Sequence, residues 1–342
     1  MPFALKTFNY AIVAIICFVV EFSLNSCSNQ GTSSFTHSNK PFASFPISYQ
    51  DNLYSVSSLQ NGMIWAVGYY GRIFHSSDRG STWVLQDSTV TEALFSVEFK
   101  ESGRGWVVGQ HGTILHTVNG GKTWVRQQSP TDASLFDITI INEQKGWIVG
   151  YGSTGIILYT EDGGSTWVIQ KNDEDKIYNG LFFIDSECGW VVGEYGVILH
   201  TKDGGRIWEK QESGVGNISL YSVFFYDRMK GWAVGMDGTL VFTENGGTIW
   251  KKKKAATDKH LYNILIKNNK GWAIGSRGAY CVSNDGGLTW KENESAIGSK
   301  YWFMDLSFED EKNGWIVGAH GMVAHTKDGG ETWNLITRKD SL

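Results

Sequence analysis

The chain has 342 residues, of which 41% are apolar, 14% aromatic and 19% charged, with 41 glycines, 15 tryptophans, four prolines and four cysteines. A formal net charge of -5 with a single basic run, Lys251 to Lys254, excludes a nucleic-acid partner, because phosphate-backbone binding needs many clustered cations. Many aromatics and glycines with few prolines point to short strands joined by tight turns and exclude a mainly helical chain.

At the N-terminus Lys6 precedes the apolar stretch Ala11 to Val20, followed by Leu24-Asn25-Ser26-Cys27. That stretch is too short to cross a bilayer as a mature helix, so residues 1–26 read as a secretory signal. Leu-x-Ser-Cys resembles a bacterial lipobox, which implies lipidation of Cys27 and anchoring to a bacterial membrane, facing the periplasm or the cell surface. Residues 27–46 are rich in Ser, Asn, Thr and Gln without periodicity, as in a flexible tether. Cys17 leaves with the signal, and Cys188 and Cys281 fall in repeats that are not neighbours, so buried free thiols are expected rather than a disulfide.

Residues 47–342 form the folded domain, in which one pattern recurs seven times. Its first tryptophans are Trp65, Trp106, Trp147, Trp190, Trp232, Trp272 and Trp315, and its second are Trp83, Trp124, Trp167, Trp208, Trp250, Trp290 and Trp333. Consecutive first tryptophans stand 40 to 43 residues apart, the length of one propeller blade. Repeat two shows the unit, with strands at Leu94 to Phe99, Gly105 to Gly109, Thr113 to Thr117 and Thr123 to Gln127. The middle runs are almost continuously apolar, as expected where both faces of a blade pack on neighbours. The fold class is therefore all-β, a seven-bladed β-propeller of four-stranded antiparallel blades.

The turn between third and fourth strands carries Asp78, Asn119, Asp162, Asp203, Asn245, Asp285 and Asp328, followed by glycine and the second tryptophan. It resembles the Asp-box of the bacterial neuraminidase repeat. The carboxyl or amide oxygen is expected to accept backbone N–H groups across its own turn, and two Asn replacements show that charge is not required. These residues ring the rim and converge on no catalytic or metal site. His75, His116, His200 and His325 share one third-strand position, a mark of repeat inheritance.

The Gly-x-x-Gly turns between second and third strands share a face with the connections between blades, the usual ligand face of a propeller. They place Tyr69 and Tyr70, Gln110 and His111, Tyr151 to Thr154, Glu194 and Tyr195, Met236 and Asp237, Ser276 and Arg277, and Ala319 and His320 around one mouth, with Arg72 beside them. Both variable residues of each tip are expected to face outward. Tyrosines, histidines and few charges suit recognition of a protein client.

The innermost strands repeat an aromatic and a small polar residue: Tyr54-Ser55, Phe95-Ser96, Phe136-Asp137, Tyr178-Asn179, Tyr221-Ser222, Tyr262-Asn263 and Met304-Asp305. Period-two geometry turns the polar member to the axis. The rival reading is a glycan-binding or glycoside-hydrolysing propeller with Asp137 and Asp305 as its carboxylate pair. A sialidase would need axial arginines to hold a carboxylate, and none of these seven positions is Arg. No zinc-ligand spacing, P-loop or dinucleotide fingerprint is present, so no metal or cofactor is expected.

The fuller pattern Gly-Trp-x-Val-Gly-x-x-Gly-x-Ile-Leu-His-Thr-x-Asp-Gly-Gly-x-Thr-Trp, running from about Leu53 to Ile336, resembles the photosystem II assembly and stability factor family. That resemblance implies a seven-bladed, non-catalytic propeller that chaperones a newly made membrane-complex subunit. Photosynthetic members carry an arginine-rich patch, whereas only Arg72 and Arg277 lie near the mouth of this chain. The expected molecule is a membrane-tethered monomer that binds a protein and helps a membrane or envelope complex to assemble.

Overall fold

Four short runs separated by glycine turns fold in every repeat into one antiparallel sheet, and seven such sheets follow one another along the chain. The computed structural model describes residues 47–254, 256–293, 297 and 301–336. The signal segment, Cys27 and the tether to residue 46 lie outside the described residues. Blade 1 comprises Leu53–Ser58, Ile64–Gly68, Ile73–Ser76 and Val84–Gln86. Blade 7 comprises Phe303–Phe308, Gly314–Gly318, Val323–Thr326 and Asn334–Leu335. Each blade thus takes its four strands from one continuous stretch, and among the described residues no strand is exchanged to close the ring.

The second strands are buried from the residue before tryptophan to the glycine that ends the Trp-x-x-Gly run, because they are covered on both faces. Their tryptophans are at most 2% exposed, and they serve the joint between blades. Trp65, Trp147 and Trp190 stack at 3.6, 3.7 and 3.4 Å on Phe99, Phe183 and Phe225 of the following blade. Their partners at the rim are the box turns: Trp65, Trp106, Trp147 and Trp232 donate their indole N–H to the carbonyls of Gly120, Gly163, Gly204 and Gly287, each in the next blade, at 2.9–3.2 Å. Gly80 shows how tight the joint is, since it sits at φ +72° and a Cβ there would lie 2.3 Å from the Trp315 ring.

Inside the ring the first strand of each blade has no strand on its inner edge, so its N–H groups need other acceptors. Side chains of the preceding blade supply them. Ser55 Oγ accepts Val97 N at 3.3 Å, Ser57 Oγ accepts Phe99 N at 3.1 Å, and Glu98 Oε2 accepts Ile140 N at 2.7 Å. Asp137 accepts Ser96 Oγ of blade 2 at 3.0 Å, its own Ile138 N at 2.9 Å and Leu181 N of blade 4 at 3.0 Å. Asp305 accepts Asn263 Nδ2 of blade 6 at 2.5 Å, Leu306 N at 2.8 Å, and Ser55 Oγ and Val56 N of blade 1 at 2.7 and 2.9 Å. Each carboxylate therefore ties three consecutive blades together.

Asp305 also closes the ring, helped by Ser58 and Ser307, whose hydroxyls meet at 2.8 Å, and by Trp83 packing edge-on to Trp315. The segment before blade 1 seals the seam without adding a strand. Ile47 joins the core shared by blades 7 and 1, the Gly321 N–H donates to the Asp51 carbonyl, and Asn52 Oδ1 accepts His320 N at 3.0 Å.

The alignment of Tyr178-Asn179 with the other axial pairs is corrected by the sheet register. The register shifts in every first strand, leaving one residue between Leu53 and Ser55 in blade 1 and one between Tyr178 and Gly180 in blade 4. Tyr178 thus matches Leu53 and is fully buried, Asn179 occupies the bulge that holds Tyr54 in blade 1, and Gly180 stands at the axial polar position. A Cβ at Gly180 would lie 2.5 Å from the Tyr221 carbonyl oxygen, so no polar side chain fits there.

Burial raises the carboxyl of Asp137 to about 7 and that of Asp305 to about 6. The native ring therefore holds protons that the unfolded chain, with carboxyls near 3.9, releases. Their contribution is complete below about pH 4 and is lost as pH rises through about 6 to 7. Wild-type stability, followed by denaturant unfolding, is expected to fall across that window more steeply than that of an Asp137→Asn, Asp305→Asn variant; equal slopes would refute the assignment. Asp305→Ala, which strands donors from blades 6 and 1, is expected to cost about 3 kcal/mol.

Candidate functional site

Two faces of the ring are built from different turns. On one, the Gly-x-x-Gly tips bond to the connections between blades: Gly71 N to Glu92 O at 2.9 Å, Gly112 N to Ala133 O at 2.8 Å and Gly278 N to Tyr301 O at 2.7 Å. On the other, the box turns bond to the turns between first and second strands, as Gly120 N does to Gly103 O at 2.9 Å and Gly246 N to Met229 O at 2.9 Å. The tips and the connections form the mouth face.

Within a tip the two variable residues have opposite fates. The second adopts the left-handed conformation, with φ of 57° at Tyr70, 52° at His111, 54° at Tyr195, 53° at Asp237, 51° at Arg277 and 59° at His320, and all six are exposed. The first turns inward. Gln110 Oε1 accepts Ala93 N at 3.2 Å and Ser276 Oγ accepts His260 N at 3.1 Å. Glu194 is buried, accepts Ile177 N at 3.4 Å, and burial raises its carboxyl above the ordinary range. The expectation that Gln110 and Glu194 face a partner is therefore corrected: they brace the tips from beneath. Blade 3 has the longer tip, where Tyr151 is half-buried and its hydroxyl donates to Asp175 at 2.9 Å.

A left-handed non-glycine residue costs roughly 1 kcal/mol, which glycine would avoid. Six such residues in six equivalent turns, each presenting a side chain to solvent, form a strained set on one face of the ring. Around them the arginines are mostly matched, with Arg72 3.8 Å from Asp51 and Arg126 3.3 Å from Glu92, while His260 Nδ1 accepts Asp237 N at 3.1 Å. Arg277 makes no ion pair among the described residues. At the blade 7–1 seam the Tyr49 ring stacks on His320 at 4.4 Å, and burial holds that imidazole below its usual range.

Towards the axis the bulge residues of five blades are aromatic and touch in two arcs, with Tyr54 to Phe95, Phe95 to Phe136 and Tyr221 to Tyr262 at 5.6, 5.7 and 5.6 Å, interrupted by Asn179 and Met304. Below them lie Asp137 and Asp305, whose oxygens are taken up by neighbouring blades. The box residues are likewise committed to their turns. Asp78 accepts Ser76 Oγ, Thr82 N and Thr82 Oγ1 at 2.8, 2.8 and 2.6 Å. Asn119 accepts Thr123 N at 3.0 Å and donates through Nδ2 to Thr123 Oγ1 at 2.9 Å, so an amide serves the turn as well as a carboxylate. Asp162, Asp203, Asn245, Asp285 and Asp328 bridge their turns in the same way. Among the described residues no three His, Cys, Asp or Glu side chains converge as metal ligands. Cys188 and Cys281 are buried and free.

One set of joint residues escaped sequence reasoning. Gln86, Gln127, Gln170 and Gln211, each three residues after a second tryptophan, reach across to the next blade's box carbonyl at Gly120, Gly163, Gly204 and Gly246. Gln86, Gln127 and Gln211 also accept the indole N–H of Trp124, Trp167 and Trp250 at 3.0–3.2 Å. The spacing Trp-x-x-Gln in four consecutive repeats was the available signal.

The two classes of tip residue are separable by stability. Tyr70→Gly, Tyr195→Gly and Asp237→Gly are each expected to leave the unfolding free energy unchanged or raise it by up to about 1 kcal/mol. Glu194→Ala is expected to lower it by about 1–2 kcal/mol. Denaturant titration checks this; a marked loss at the glycine variants would return those side chains to the frame.

A family model described as photosynthesis system II assembly factor YCF48 matches residues 20–118, 117–215 and 256–342. No curated protein sequence matches the chain. Among solved structures it is similar to YCF48 bound to D1 peptide, with TM-score 0.70 and 20% identity over 84% of this chain and 95% of that one. It is also similar to YCF48 from Cyanidioschyzon merolae, with TM-score 0.67 and 18% identity over 81% and 96%. Virginiamycin B lyase from Staphylococcus aureus has TM-score 0.69 at 13% identity over 80% and 93%. At these identities the structures attest the propeller fold, and the family model, which spans most of the sequence, attests descent. The chain belongs to the photosystem II assembly factor YCF48 family.

Proposed function

We propose that this protein is a non-catalytic assembly factor that holds a segment of a client protein across its mouth. The observation that carries the reading is the set of six exposed left-handed side chains, Tyr70, His111, Tyr195, Asp237, Arg277 and His320, mounted on one face of a rigid ring. Tyrosine and arginine supply large contact area, and a pre-formed scaffold loses little entropy on binding. A family relative solved with a D1 peptide supports a peptide-like client. Asp137 and Asp305, the carboxylates a glycosidase would need, are spent on holding blades together, which supports a binding role over hydrolysis.

Membrane tethering belongs to the same proposal. The described chain begins at Ile47 on the mouth side of the blade 7–1 seam, beside Tyr49 and His320. A lipid at Cys27 and a flexible stretch of about 20 residues, with a root-mean-square reach of about 25 Å, would keep the mouth of a monomeric ring close to membrane clients.

Capture from a detergent-solubilised membrane extract of the host tests the reading. The wild type is expected to retain a protein whose affinity falls at least about tenfold in a Tyr70→Gly, Tyr195→Gly, Arg277→Gly variant of unchanged stability. Equal retention by both would remove the mouth from the mechanism. Release of reducing ends from β-glucans or sialosides, abolished by Asp137→Asn, would overturn the non-catalytic reading.

A further inference from the structure

On the face opposite the mouth, blades 4 and 5 leave a groove of about 580 Å³ between them. Cys188 and His200 line it from blade 4, and Met229 and the box turn Asn245 to Thr248 from blade 5. Strand pairing brings the first two together: Cys188 immediately precedes the second strand, whose Trp190 lies opposite His200 of the third. The His200 ring stacks on Trp190 at 4.7 Å and 11°, which fixes its plane and leaves its edge to point at Cys188. Sγ of Cys188 lies 3.6 Å from Nε2 of His200, with the two residues 5% and 6% exposed.

We propose that Cys188 and His200, completed by the Met229 thioether, form a binding site for a soft monovalent metal ion, Cu(I), in this groove. Thiolate, imidazole and thioether form a soft donor set of the kind that selects Cu(I). A metal about 2.3 Å from sulfur and about 2.0 Å from nitrogen, with bonds about 110–120° apart, holds its two donors about 3.5–3.7 Å from each other. The observed 3.6 Å separation, at which the thiol and the imidazole hydrogen-bond to each other, falls within that range. Metal binding releases the Cys188 thiol proton to solvent as the sulfur–metal bond forms. The groove is lined by both signs of charge, Lys202, Lys210 and Arg228 with Glu209 and Glu212, and Cu(I) with one thiolate adds no net charge to it.

The other repeats sharpen the assignment. The residue before the second-strand Gly-Trp or Ile-Trp pair is Met63, Arg104, Lys145, Cys188, Lys230, Lys270 or Asn313, and the third-strand partner position holds His75, His116, Tyr159, His200, Phe242, Val282 or His325. Sulfur stands there only in repeats 1 and 4, two of the four whose partner is histidine; the other two carry Arg104 and Asn313. Lysine stands there only where the partner is not histidine. Met63 and His75 together line a similar groove of about 670 Å³ between blades 1 and 2.

The test is anaerobic titration of the full chain, with Cys17 and Cys27 changed to serine, using Cu(I) in competition with a chromogenic chelator. One equivalent is expected to be retained, with sulfur and nitrogen neighbours in X-ray absorption, and Cys281→Ser is expected to keep it. Cys188→Asn copies the Asn313 and His325 pairing of blade 7, and His200→Tyr copies Tyr159 on Trp147 of blade 3, so both are residues this fold already carries. Each is expected to weaken retention at least tenfold, and Met229→Leu severalfold. Failure of the wild type to retain Cu(I), or retention unchanged in both variants, overturns the site. The mouth variant is expected to bind Cu(I) normally, so either proposal can fail while the other stands.

Discussion

The box carbonyl is the joint on which this ring depends. A turn that closes tightly on its own Asp or Asn leaves one glycine carbonyl pointing out of the blade, and a buried carbonyl without a donor costs about 1–3 kcal/mol. The preceding blade answers it with an indole N–H, a glutamine amide, or both, as Trp65 and Gln86 do together at Gly120 O. The repeated tryptophan is thus more than hydrophobic filling. Its ring stacks on the next blade's phenylalanine while its N–H meets the next blade's turn, so no repeat is complete until its neighbour has folded.

The same demand shapes the axis. First strands that lack an inner partner recruit serine, glutamate and aspartate side chains from the blade behind them, and this consumes the polar groups a catalytic channel would need. Asp137 and Asp305 are acidic, half-buried and raised, the usual marks of an active site. Their hydrogen-bond partners come from three blades each, which identifies them as members of the frame. With the interior committed to closure, variation is free to occur at the tips, where a side chain in the left-handed conformation touches little of its own blade.

The blade count, the box turns and the division of the two faces were legible in the sequence because each depends on a local spacing. Tyr178 was not, because an alternation rule assumes an unbroken period of two. A bulge inserts one residue and a glycine occupies the axial site, so the aromatic that looks axial is a core residue. The fates of paired tip residues were also hidden: Glu194 and Tyr195 are adjacent and polar, and only the backbone angles show that one is turned under and the other out. Gln86 and its equivalents carried a signal, but a glutamine on an edge strand reads as a solvated face until its partner blade is in place.

The joints are not uniform, and the differences show that the carbonyl's need, rather than any one residue, is what the ring maintains. Blades 5, 6 and 7 carry Lys253, Asn293 and Ile336 where the earlier blades carry glutamine. At Gly287 O the donor from blade 5 is Trp232, joined by the box's own Trp290 at 3.0 Å. At Gly330 O it is the Tyr280 hydroxyl of blade 6, at 2.6 Å. Where blade 7 meets blade 1, Glu309 accepts the Trp315 indole at 3.0 Å and pairs with Arg79 of the box at 3.3 Å, turning a neutral joint into an ionic one. Lys253, released from the joint, lies 4.7 Å over the Phe242 ring. A repeat can therefore exchange its joint residue as long as a donor, or an acceptor with a matching cation, arrives at the same place, and it is this tolerance that lets seven copies diverge on their surfaces without opening the ring.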